Sequence, residues 1–282
     1  MIVGSLSTIV AAGAASPQHV PQVGDTYEIS LTRDSSQRSS DGFSEGSSHD
    51  QDMIVERVIT VRADGLELEY DRPKSTTTDE RAAEWQFPAR VFKPRDGPFQ
   101  LLNRAELEAR VDPWLKTANW TRAICGHWIF TWNGFHIDCD PQSVIGLVEA
   151  FDLRSANVLE GALYQDTGAL RPGTLVRKST GASGAVFNVG MTINPDTVQR
   201  ARAESDVAVG EIMNKPVTLD AALRERSQET VSGTISITFE TDSSGDLRRR
   251  TKVTKLETKK EVGTSETETV TETLERRLIP RR

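Results

Sequence analysis

The chain has 282 residues, 37% of them hydrophobic, and 34 basic against 41 acidic side chains leave a net charge of −7. At about 100–200 residues per domain, this length allows one large domain or two small ones, with enough chain to build a core unaided. The acidic balance argues against a nucleic-acid-binding protein, which normally carries a basic face. Patterned apolar runs exclude a disordered chain, and no run of 18 apolar residues marks a transmembrane helix.

Residues 1–16, MIVGSLSTIVAAGAAS, are small and apolar, and the first basic residue is Arg33. Ala12-Gly13-Ala14 has the small-x-small form of a signal-peptidase site, although the segment lacks a basic n-region. Residues 1–22 therefore read as a signal peptide and linker. Residues 23–282 read as one large domain, with two lobes at 23–154 and 155–282 as the finer division. Export predicts a periplasmic or secreted protein. A plain N-terminal tail is the alternative and predicts a cytoplasmic one. Cys125 and Cys139 are the whole cysteine complement, and an even number in an exported chain reads as a disulfide.

In chain order, Thr26–Thr32 alternates as a short strand, and residues 34–50, with seven serines, read as an exposed polar loop. Residues 53–72 predict a hairpin with Asp64-Gly65 as its turn. That register puts Ala63, Val61 and Ile59 opposite Leu66, Leu68 and Tyr70 on one buried face. Residues 73–83 read as loop. Trp85–Phe92 reads as a strand at an edge or bulge, because Pro88 has no N–H to donate. Asn103 reads as the cap of a helix with Leu107, Val111, Trp114 and Leu115 on its apolar stripe, and Pro113 predicts a kink or break. Asp140-Pro141 and Asn194-Pro195 begin two more helices, and Thr218 begins a fourth. Between them, Ala185–Met191 reads as a strand.

Val231–Thr241 then places Ile235, Ile237 and Phe239 on one face. Of two possible registers for the following hairpin, a three-residue loop ending at Gly245 is preferred, since it brings Leu247 and Val253 onto the apolar face. Residues 264–276 read as a Thr- and Glu-rich strand wet on both sides. No fixed-period repeat is visible.

Residues 125–140 hold the densest chemistry: Cys125, His127, Trp128, Trp132, His136, Asp138, Cys139 and Asp140. Asn133-Gly134 as a two-residue turn puts Trp128, Phe130, Trp132, Phe135, Ile137 and Cys139 on one apolar face. His127, His136, Asp138 and Asp140 then share the polar face, with His127 beside Asp140. The two histidines fall roughly 13 Å apart along the ladder, too far to share a metal, so no metal site is assigned. In this register Cys125 is out of line with Cys139, and a bridge needs a bulge at Gly126. The hairpin patterning is kept.

No G-x-S-x-G, Walker A, Rossmann glycine fingerprint or H-E-x-x-H is present, and no catalytic residue or cofactor is assigned. Residues 246–282 carry 11 basic and 7 acidic side chains, so the rest of the chain is at −11. Arg248, Arg249 and Arg250 are the candidate basic docking face. The fold class is α+β: predominantly antiparallel hairpins with about four helices packed on one face. In architecture alone this plan resembles the LolA-like half-barrels of envelope lipid handling, a resemblance that carries over no residue. The expected function is a non-catalytic binding or interaction role in the envelope, toward an apolar ligand or an envelope protein, with no nucleic acid. The alternatives are a hydrolase with its site near the 125–140 hairpin and a structural subunit of an envelope assembly.

Overall fold

The computed structural model describes residues 20–42, 45–130, 134–259 and 263–281, and the export-like segment lies outside them. The elements run β1 (Thr26–Ser39), β2 (Glu45–Val61), β3 (Gly65–Asp71), α1 (Thr78–Ala82), β4 (Ala89–Pro94), β5 (Gln100–Leu101) and α2 (Arg104–Thr117). Then come β6 (Trp128–Phe130), β7 (Gly134–His136), α3 (Val144–Glu149), β8 (Leu163–Tyr164), β9 (Gly173–Thr174), β10 (Val176–Gly181) and β11 (Gly184–Thr192). The chain ends with α4 (Pro195–Ile212), α5 (Leu219–Arg226), β12 (Thr230–Thr241), β13 (Leu247–Lys259) and β14 (Ser265–Ile279). Ten strands form one antiparallel sheet in the order β10-β11-β12-β13-β14-β1-β2-β3-β4-β5. The last strand thus lies between β13 and the first. No helix among the described residues is long and apolar enough to cross a membrane.

The caps read from sequence form in part. Asn194 and Thr218 accept from the backbone N–H of Asp196 and Ala221, and Asp140 caps a 3-10 turn at Pro141–Ser143 that leads into α3. Asn103 precedes α2, but its side chain is spent elsewhere: Oδ1 accepts from the Arg90 N–H, and Nδ2 donates to the Pro88 carbonyl. Helix α2 runs unbroken through Pro113, because Leu107, Val111 and Leu115 are all buried on one stripe across it. There are five α-helices among the described residues rather than four. The extra one, α1, starts at a capping box of Thr77 and Glu80, inside the stretch read as loop.

Residues 34–50 are not a loop. β1 continues to Ser39 and β2 starts at Glu45. β1 has a partner on each edge, β14 and β2, so its backbone groups pair whatever its side chains are. Polar side chains then pair across the strands: Ser35 with Ser48 at 2.8 Å, Asp34 with His49 at 2.6 Å. Further in, one row of directly opposed residues crosses the sheet as Ile237, Lys252, Glu272, Arg33 and Asp50. The charges in that row alternate in sign, which favours the pairing.

Two hydrophobic clusters are built on this sheet. The first joins Ile29, Ile54, Val58, Leu68 and Tyr70 to the buried stripe of α2 and to Val144 and Val148 of α3. The second joins Phe187, Val189 and Met191 to Ile235, Ile237 and Phe239, with the segment around Ala169 and Leu175 packed on them. Two hairpin registers differ from the sequence reading. Arg62 N–H bonds to the Gly65 carbonyl, so the first turn is Ala63-Asp64, and Ile59 is skipped at a bulge. That shift turns Val61 outward, 40% exposed, and puts Glu56 opposite Tyr70. In the other hairpin the turn is the expected three-residue loop, yet a bulge beyond it shifts the ladder. Ile235, Ile237 and Phe239 therefore face Thr254, Lys252 and Arg250, not the preferred Val253, Thr251 and Arg249.

Beside the first cluster lies a buried carboxylate, Glu56, 1% exposed. One of its oxygens accepts from Arg154 at 2.8 Å and from Arg276 at 3.0 Å; the other accepts from the Tyr70 hydroxyl at 3.0 Å. Burial alone would raise its pKa, but attraction to Arg154 and Arg276 and the hydrogen bonds from Arg154 and Tyr70 win, holding it at about 2. The Arg276 guanidinium also lies 3.4 Å from the Tyr27 ring centre.

A depressed carboxyl pKa contributes stability that is present above the unfolded value and lost as pH falls through the folded one. Denaturant titrations should therefore show stability falling as pH drops from 4.5 toward about 2. Glu56→Gln should flatten that acid limb, and an unchanged limb would mean Glu56 is not its source. At neutral pH Glu56→Ala should cost about 3–5 kcal/mol, because two guanidinium groups lose their buried counter-charge.

Candidate interaction surface

The disulfide forms between Cys125 and Cys139, with Cα atoms 5.6 Å apart. It is compatible with the hairpin because the hairpin register is not the patterned one. Trp128 pairs with His136, Ile129 with Phe135 and Phe130 with Gly134. The ladder continues through the Ile137 N–H to the His127 carbonyl and the Gly126 N–H to the Ile137 carbonyl. Gly126 and His127 thus both oppose Ile137, a bulge at Gly126 (φ 83°) of the kind the bridge needs, and it brings Cys125 to Cys139. The proposed turn falls partly on residues 131–133, which lie outside the described residues with Trp132.

Against the patterned register this is an odd-numbered slip, so one strand is turned over relative to the other. Cys125, Ile129, Ile137 and Cys139 now pack against the first cluster. Trp128 and Phe130 go to the opposite side and are 36% and 64% exposed. The sequence reading of these two as core is corrected here. Trp85, Trp114, Trp120 and Phe135 form a chain of ring contacts 6.0–6.4 Å apart that links α2 to the hairpin.

The slip also separates the polar residues. His127 Nδ1 is 2.7 Å from Glu211 of α4, not beside Asp140. The His127 hydrogen bond lowers the Glu211 pKa, and the Trp128 N–H also donates to that carboxylate. His136 stands edge-on to the Trp128 ring, with centroids 5.6 Å apart. Asp138 accepts from the Asp140 N–H, and Asp140 caps the following 3-10 turn. The hairpin rests on α4, where Ile212 would meet any Cβ added at Gly134 at 2.9 Å. The resulting surface is two exposed aromatic rings on a disulfide-bridged ribbon, with Glu211 at the Trp128 N–H and Asp138 and Asp140 further along the chain, Asp140 3.6 Å from Arg104.

The three arginines are dispersed. Arg248, the bulge residue of β13, donates from Nε to Asp242 at 2.6 Å. Arg249 lies 3.9 Å from Glu240, and the Arg250 charge opposes the burial that raises the Tyr164 pKa. Glu56, Arg154 and Arg276 were missed in the sequence. Glu56 did carry a signal, since it alternates in phase with the buried Ile54 and Val58.

No family model and no curated protein matches this chain. Among solved structures it is similar to lipovitellin, from a study of lipid–protein interactions, at 10% identity and TM-score 0.37, over 93% of this chain and 26% of that one. It thus spans about a quarter of the lipovitellin chain. It is also similar to Ail, the attachment invasion locus protein of Yersinia pestis, at 3% identity and TM-score 0.20, over 91% of this chain and 100% of that one. An outer-membrane channel from Pseudomonas putida F1 matches at 9% identity and TM-score 0.22, over 95% and 100% of the two chains. Scores this low assign neither a site nor an activity.

The bridge closes a loop of about 15 residues, worth roughly 3 kcal/mol by loop-closure entropy. The double variant Cys125→Ser, Cys139→Ser should lose about that much in denaturant titrations. It should also shift tryptophan emission to the blue as Trp128 slips inward. A variant with unchanged stability and emission would show that the bridge does not hold the register.

Proposed function

We propose that this protein is an extracytoplasmic, non-catalytic interaction protein that docks onto a second protein through the aromatic side of the β6–β7 hairpin. The observation that carries this reading is the exposure of Trp128 and Phe130 on a ribbon braced by the Cys125–Cys139 disulfide. Exposed aromatic side chains on a rigid support are the usual anchors of protein–protein interfaces. A disulfide forms and persists in oxidising compartments, which supports a periplasmic or secreted location. Glu211, which also accepts from the Trp128 N–H, and Asp138 place carboxylates along the ribbon, which disfavours an anionic lipid surface. This charge fits a partner that presents an apolar pocket rimmed by Lys or Arg.

A photo-crosslinking amino acid at position 130, in the producing cells, should give one discrete protein adduct. The same probe at Lys178, on the exposed strand β10, should give none. Asp138→Lys with Asp140→Lys should cut the adduct yield by about ten-fold through slower association. Adducts to lipid alone, or equal labelling from both positions, would overturn the proposal.

A further inference from the structure

Around Glu56 the charges do not balance. One carboxylate faces two guanidinium groups, Arg154 and Arg276. The next pair outward, Lys93 with Asp152 at 2.7 Å, is neutral in itself and leaves the surplus in place. Arg276 is 5% exposed, and its buried Nε–H has no hydrogen-bond partner. A buried donor left unmade costs free energy, and a buried unpaired cation costs more.

Arg154 and Arg276 both line a cleft of about 240 Å³. Its other walls include the apolar Leu153, Val158, Leu159 and Leu247. Asp246 also borders it and has its own counter-charge, Arg248, at 3.8 Å. The Tyr27 ring stacks on the Arg276 guanidinium and so fixes the plane of its donors, the preorganised fork that suits a carboxylate. The volume is below the roughly 300–1,000 Å³ of pockets for drug-sized ligands, so the ligand is small.

We infer that this cleft is a binding site for a small organic acid, its carboxylate against Arg154 and Arg276 and its short apolar tail along Leu153, Val158 and Leu159. The site is separate from the hairpin surface and does not depend on the docking proposed there.

Calorimetric titration of the intact protein with hexanoate, hexanol, acetate and inorganic phosphate tests it. Hexanoate should bind about ten-fold or more tightly than hexanol, which lacks the charge, and than acetate, which lacks the tail, each difference being about 1.4 kcal/mol. Leu159 is 60% exposed, so Leu159→Glu should keep the fold and lower hexanoate affinity by about ten-fold through like-charge repulsion. Arg276→Lys, which retains the charge but not the fork, should weaken hexanoate more than hexanol. Equal binding of hexanoate and hexanol, no binding of either, phosphate as tight as hexanoate, or indifference to Leu159→Glu would each overturn the inference.

Discussion

Glu56 joins strands that are far apart in the sequence. It lies on β2, takes hydrogen bonds from Tyr70 on β3 and Arg276 on β14, and is reached by Arg154 from the segment after α3. Arg276 is 220 residues away in sequence. Buried ion pairs add little net stability, because desolvation cancels most of the attraction. What they penalise is a wrong arrangement, since any slip leaves a charge buried alone. With β14 between β13 and β1, this contact ties the C-terminal strand into the middle of the sheet, where both neighbours need it. Such long-range closure also makes the topology slow to form.

A second constraint acts on the small scale. In the 125–140 hairpin, two forces disagree about register. Apolar patterning would bury Trp128 and Phe130, while the bridge requires Cys125 to meet Cys139. In the folded chain the bridge forms, and Ile129 and Ile137 fill the inward positions instead. Trp128 and Phe130 are thereby turned outward beside the bridge. Such an exposed apolar surface is unusual enough to bear on function, whereas single exposed apolar residues elsewhere need no explanation.

The hairpin surface and the arginine-lined cleft are chemically different. One is an exposed aromatic ribbon; the other is a small cleft lined by two arginines and apolar side chains. Neither depends on a sequence motif. Both arise from residues that the strand register brings to one place. His127 and His136, the residues most suggestive in the sequence, take supporting roles beside Glu211 and the Trp128 ring.

Local signals were legible wherever the chemistry was local. The caps at Asn194 and Thr218, strands β11 and β12 and the apolar stripe of α2 follow from neighbouring residues alone. Errors arose where pairing depended on distant chain. The serine-rich arms of β1 and β2 read as loop because their side chains bury little, yet strands on both sides supply their hydrogen bonds. The bulges at Ile59 and after Glu240 each changed which side chains point inward, and no nearby residue announces either. By itself the sequence determined the antiparallel α+β class, the paired cysteines and most helix starts, because spacing and capping act within a few residues. Only the tertiary structure decided the registers, the exposure of Trp128 and Phe130 and the meeting of Glu56 with Arg154 and Arg276. Those depend on which strand lies beside which, and a two-residue side-chain period lets a single-residue shift reverse the answer.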